Sequence, residues 1–146
     1  MLLAIPLGQY TTLPADRLRG KIVVDAMNYY RQRDGQLPLD GLTSSELVAR
    51  HLAGARVVKA FNTMYFQTLA SEGNPSAPVD ERLALFLAGD DAAAKAVVAR
   101  LIEEIGFAPI DTGTLHEGGR RQQPGSDIYN TPLTGAEARA ALGERR

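Results

Sequence analysis

The chain has 146 residues, 45% apolar and 23% charged, with a formal net charge of -1, the balance of an ordinary globular domain. There is no basic excess to neutralise phosphates, which argues against nucleic acid as a partner. With no cysteine in the chain, disulfides, thiolate metal sites and a cysteine nucleophile are excluded together, and a cytoplasmic location fits.

The run Met1-Leu2-Leu3-Ala4-Ile5, stopped by Pro6 and Gly8, predicts a strand buried on both faces. It is too short to cross a bilayer and lacks the basic flank and cleavage site of a signal peptide, so no membrane partner is expected. Residues 10–19 suit a short helix with Pro14 in its first turn and Gly20 as its stop. The β-branched run 21–26 predicts the next strand. Residues 28–42 are polar, carry Asp34-Gly35 and Pro38, and read as a long loop. Thr43 and Glu46 have the spacing of a capping box at the head of a helix that Gly54 closes. Residues 56–61 predict a third strand, 63–69 a short helix and 73–78 a loop.

Residues 82–88 predict a fourth strand, and Asp90-Asp91 caps a helix over 92–105. Its apolar positions are Val97, Val98, Leu101, Ile102 and Ile105, a single wide stripe. Gly106 stops it. Residues 107–111 predict a fifth strand, where Pro109 suits an edge better than a centre. The chain is then polar and Gly-rich to Ser126, with a last short helix over 136–142. Strands alternating with helices predict one α/β domain over 1–146 with a mostly parallel sheet.

In such sheets ligands sit beyond the carboxyl ends of strands. Three predicted ends carry polar or chain-breaking residues: Ile5-Pro6-Leu7-Gly8, Asp25-Ala26-Met27-Asn28-Tyr29-Tyr30 and Lys59-Ala60-Phe61-Asn62-Thr63. Each has a plainer reading. Pro6 and Gly8 turn chains generally, and Asn satisfies loose backbone groups. Tyr29-Tyr30 could stack on a ligand or cover the core edge, the latter favoured. Lys59 could meet an anion or reach to solvent. His51 ends a helix, where a cation is welcome. His116 has no second imidazole at ligand spacing, so no metal site is predicted. Gly118-Gly119-Arg120-Arg121 reads as a solvated loop.

Four blocks together resemble the NADPH-dependent coenzyme F420 reductases. They are residues 21–30 with Arg33-Asp34-Gly35, residues 57–63, Ala88-Gly89-Asp90-Asp91 with Ala94-Lys95, and residues 106–115. They come in the family's order and cover nearly the whole chain. The family the blocks resemble also includes the NADP-binding domain of Steap-type ferric reductases. The resemblance implies a Rossmann-like three-layer fold and hydride transfer between NADP(H) and coenzyme F420 or a similar small-molecule redox substrate. By matched position it implies that Ile5, Pro6 and Gln9 line one turn of the cofactor site. Asn28 and Ala60 would lie near the nicotinamide, and Asn62 and Thr63 on the deazaflavin side. No catalytic acid or base is implied, since the protein positions two rings and keeps water out. The family's opening G-x-G-x-x-G turn, which brings pyrophosphate to a helix N-terminus, is absent from the sequence. The expectation is therefore an N-terminally truncated Rossmann domain, a fragment of an oxidoreductase. A homodimer or a separate N-terminal half would then complete its sheet. The alternative is a non-catalytic binding or assembly module, or an inactive remnant.

Overall fold

The computed structural model describes residues 1–143. Five strands form one sheet in sequence order: β1 (Leu2–Leu3), β2 (Ile22–Asp25), β3 (Arg56–Ala60), β4 (Ala84–Gly89) and β5 (Ala108–Asp111). The helices are α1 (Ala15–Leu18), α2 (Arg31–Asp34), α3 (Ser44–His51), α4 (Phe66–Ser71), α5 (Ala92–Glu104), α6 (Glu117–Arg121) and α7 (Gly135–Ala141). Pairing is parallel for β1/β2, β2/β3 and β4/β5, and antiparallel for β3/β4. The expected α/β class with a mostly parallel sheet is what the chain adopts.

Alternation along the strands sends neighbouring side chains to opposite faces. Val23 and Val57 pack with Leu3, Leu18, Val48 and Leu52 beneath α1 and α3. Val24, Val58, Leu85 and Leu87 pack on the other face against Ala94, Val98 and Ile102 of α5. A third cluster joins Phe86 and Ile110 to Ala138 of α7 and Ile128 of the tail. Helices thus cover both faces, giving three layers. Burying each of these Val, Leu, Ile or Phe side chains contributes roughly 1.5–3 kcal/mol.

Several local expectations hold for the reasons given. Thr43 accepts from the Glu46 backbone N–H at 3.2 Å while Glu46 accepts from the Thr43 N–H at 2.7 Å, the reciprocal capping box. Asp91 caps α5 by accepting from the Ala94 N–H at 2.9 Å, and its carboxylate also holds Arg56 at 2.6 Å. Ala108 donates its N–H to the carbonyl of Leu83, immediately before β4, and Thr112 to that of Leu87 in β4. Pro109 therefore occupies a position whose missing N–H would point away from the sheet, as an edge allows.

Other expectations are corrected. β1 lies at a sheet edge, so Leu3 is buried while Leu2 is 51% exposed; the first strand is buried on one face only. The connection through α4 returns at the edge where β3 ends, which makes β4 antiparallel to β3. The stripe on α5 is split: Val98 and Ile102 are buried, whereas Val97, Leu101 and Ile105 stay exposed. Residues 28–42 contain α2, and the Gly118-Gly119 stretch lies in α6 with both glycines buried. Gly118 lies so close to Thr112 that a Cβ there would come within 2.6 Å of its Oγ1. His51, the last residue of α3, is held by two neighbours from the segment before α1. Its Nε2 lies 2.9 Å from the Leu13 carbonyl and its ring meets Tyr10 edge-on.

Candidate functional site

Because β1, β2 and β3 are mutually parallel, the three predicted strand ends leave the sheet at one edge. The support beneath that edge is ionic. Asp25 and Lys59 are both fully buried, with Lys59 Nζ 3.4 Å from Asp25 Oδ2 and donating also to the Met27 carbonyl. Asp25 accepts from Ser45 Oγ at 2.7 Å and from the Met27 N–H at 2.9 Å. Burial pushes the Lys59 ammonium below the ordinary lysine range, and the Asp25 carboxylate opposes that shift. Lys59 therefore neither reaches to solvent nor meets an external anion. It closes the turn that carries the chain from β2 to Asn28.

Asn28 and Asn62 then pair across the two strand ends. Asn28 Nδ2 donates to the Asn62 carbonyl at 3.1 Å, and Asn62 Nδ2 donates to Asn28 Oδ1 at 3.0 Å and to the Gln122 carbonyl at 2.7 Å. Both contacts of Asn62 Nδ2 are acceptors, which fixes the amide orientation. Asn62 Oδ1 is left buried with no hydrogen-bond partner. Such a group is costly unless something supplies a donor. The residue before it, Phe61, has a φ of 67°, a left-handed backbone that non-glycine residues adopt mainly where the surroundings impose it.

A cavity of about 320 Å³ opens at this place, lined by Asn28 and Asn62 together with Tyr30, Tyr65, Phe66 and Tyr129 among others. A second cavity of about 260 Å³ adjoins it through the shared residues Met64, Tyr65 and Asn130, and Thr63 lines that one. The Thr63 carbonyl accepts from the Asn130 N–H at 2.9 Å, tying the tail to the exit of β3. Tyr30 and Tyr129 share a hydroxyl–hydroxyl hydrogen bond across the mouth. Burial, and then that bond, raises the Tyr129 phenol above its ordinary range, so it stays neutral.

The structure thus joins Asn28, Asn62 and Thr63. Ala60 is buried beneath them in the cluster that α5 covers. Ile5, Pro6 and Gln9 sit at the exit of β1 on the same edge; Ile5 packs against the core, and Pro6 and Gln9 are exposed. A bond from the Gly8 N–H to Asp34 Oδ1 at 3.1 Å links that turn to α2. Tyr29 packs against the core, as favoured, whereas Tyr30 faces the cavity. Sequence reasoning missed Tyr65, Phe66, Gln122 and Tyr129. The adjacent Tyr65-Phe66 beside a strand end was a usable signal, but nothing local marks Tyr129. Among the described residues no cluster of His, Asp or Glu could hold a metal ion, and no helix is long and apolar enough to cross a membrane.

No protein-family model matches the chain. It is 32% identical over 101 residues to Metalloreductase STEAP3 of Rattus norvegicus, a match covering 69% of this chain and 19% of that protein. It superposes on a hypothetical protein from Sinorhizobium meliloti with a TM-score of 0.74 and 35% identity, over 91% of this chain and 65% of the other. It also superposes on a "putative F420-dependent NADP reductase" from Arthrobacter sp. FB24 with a TM-score of 0.63 and 32% identity, over 78% and 54% of the two chains. The chain therefore spans under a fifth of the curated relative and less than two thirds of either solved structure.

Proposed function

We propose that this chain, which belongs to the family of F420-dependent NADP reductases and their relatives, forms the ring-binding edge of an oxidoreductase that moves a hydride between NADP(H) and a small-molecule redox substrate such as coenzyme F420. The observation that carries this reading is the Asn28–Asn62 pair at the exits of β2 and β3, with Asn62 Oδ1 buried and unpartnered beside a cavity. An amide or ring N–H donor would satisfy that oxygen, so the residues fit the nicotinamide end of the cofactor. NADP(H), when bound, supplies or accepts the hydride.

The chain's own part is to bind, orient and exclude water. In this reading Asn28 and Asn62 orient one ring through their side-chain amides, with Ala60 and Thr63 beside them. Ile5, Pro6 and Gln9 form the flank contributed by the β1 exit. The rigid strand ends supply proximity and orientation, which is most of what transfer between two stacked rings requires. No proton need be held at the reacting carbon, consistent with a cavity whose titratable lining residues are tyrosines. The phosphate-cradling G-x-G-x-x-G turn is not among the 146 residues; the contribution proposed here is to the ring end of the site.

Calorimetric titration with NADPH of the 146-residue chain and of Asn28→Ala tests the reading. Saturable binding is expected, weakened about tenfold in the variant, the scale of one lost hydrogen-bonded contact. A folded wild-type chain that takes up no NADPH contradicts it.

A further inference from the structure

The tail after β5 encloses a separate cavity. It has a volume of about 480 Å³, lies between the end of α6, the tail and α7, and shares no lining residue with the cavity that holds Asn62. Small-molecule sites occupy roughly 300–1,000 Å³, so it has the size of one. One wall is apolar: Ile128 is buried, and Leu133 and Leu142 are partly buried against the third core cluster. Two opposite charges stand at its rim. Arg121, the last residue of α6, and Asp127 both line the cavity and are both exposed. Among the described residues neither side chain makes an ion pair or a hydrogen bond, not even with the other. Beside Asp127 stands Ser126, whose Oγ is buried with no partner. The Ser126 N–H donates to the Gln123 carbonyl, and its own carbonyl accepts from the Tyr129 N–H, each at 3.1 Å. Its backbone is therefore satisfied and only the hydroxyl is left over, although a hydroxyl can rotate and a buried one ordinarily finds a partner.

We propose that this cavity binds a free α-amino acid with an apolar side chain. The Arg121 guanidinium takes the carboxylate, whose two oxygens its planar fork matches. Asp127 takes the α-ammonium, and the Ser126 hydroxyl donates its unused proton to the carboxylate. The ligand's side chain lies on Ile128, Leu133 and Leu142. A simple anion is repelled by Asp127 and a simple cation by Arg121, so each charge rejects what the other would admit. The apolar wall rejects amino acids with polar side chains, which would be buried there without partners. The site stands apart from the proposed function and does not depend on it.

L-Leucine is the probe, titrated calorimetrically into the 146-residue chain. N-acetyl-L-leucine and L-leucinamide each lack one of its two charges and stand in for the two ends of a peptide. L-Leucine is expected to bind saturably, and each derivative about tenfold more weakly, the scale of one lost charge-assisted contact. Arg121→Gln and Asp127→Asn alter exposed side chains that hold nothing else, so both should keep the fold, checked by circular dichroism, while each weakens L-leucine binding about tenfold. Ser126→Ala removes a hydroxyl that bonds nothing in the free chain, so it should weaken L-leucine binding without lowering the melting temperature. Absence of L-leucine binding by the folded chain overturns the site. So does a derivative that binds as tightly as L-leucine, which would mean that the cavity holds one end of a peptide. So does L-leucine binding that is unchanged in both Arg121→Gln and Asp127→Asn.

Discussion

Lys59 shows how far a single residue can depart from its local signal. At the end of a strand it reads as a side chain reaching for water or for an anion, because the sequence around it is otherwise apolar. Its burial is decided by Asp25, Ser45 and Met27, which are brought to it by pairing of β2 with β3 and by the docking of α3. A buried pair is weak evidence of net stabilisation, but removing one partner strands the other charge. Lys59→Met should therefore cost roughly 3 kcal/mol in urea unfolding, and adding Asp25→Asn should recover most of it. A single variant as stable as the wild type would show that Asp25 is satisfied without Lys59. Asp34 offers a pH-dependent counterpart. The Arg33 guanidinium, then the Tyr30 and Gly8 N–H groups, hold its carboxyl at about 2, below its ordinary 3.8. A depressed carboxylate contributes stability that is present above the unfolded value and is lost as pH falls through the folded one. Asp34→Asn should lower the melting temperature at neutral pH, and the gap to wild type should close between about pH 4 and pH 2. A gap unchanged across that range contradicts the assignment. By contrast the strand-end positions of Asn28 and Asn62 were legible, because both follow strands rich in β-branched residues, whereas their bonding to each other was not.

The elements were read best where capping chemistry is local. Thr43 with Glu46, and Asp91 before Ala92, place the starts of α3 and α5 through bonds reaching only three residues. The turn of α5 about its own axis was not legible. Its five apolar positions form one wide stripe, and either side of that stripe could have met the sheet. Lys95 settles the rotation. Its Nζ bonds Asp111 at 2.8 Å and the Gly113 carbonyl at 3.4 Å, turning that flank toward β5 and leaving Val97, Leu101 and Ile105 outside. Ile102→Ala should consequently cost roughly 2–4 kcal/mol in denaturant unfolding, while Leu101→Ala stays within about 0.5 kcal/mol of wild type. Equal losses at the two positions would mean that the exposed ridge is covered in solution.

At the scale of the whole molecule, the alternation of strands and helices was enough for the layered α/β class and for a ligand edge at the strand ends. It could not show that β4 runs against β3. That depends on the short α4 connection turning back at the edge where β3 ends rather than crossing the sheet. Nor could it show the cavity, whose walls come from the exits of β2 and β3, the start of α4 and a tail more than 60 residues downstream. The parallel strand ends, the cavity and the unpartnered Asn62 oxygen meet at one place in the molecule. The direct test is an amide proton–nitrogen NMR titration of the labelled 146-residue chain with NADPH. The account predicts shifts concentrated at Asn28, at residues 61–63 and at Asn130, with the amides of α5 unmoved. Shifts centred elsewhere, or none with the chain folded, would contradict it.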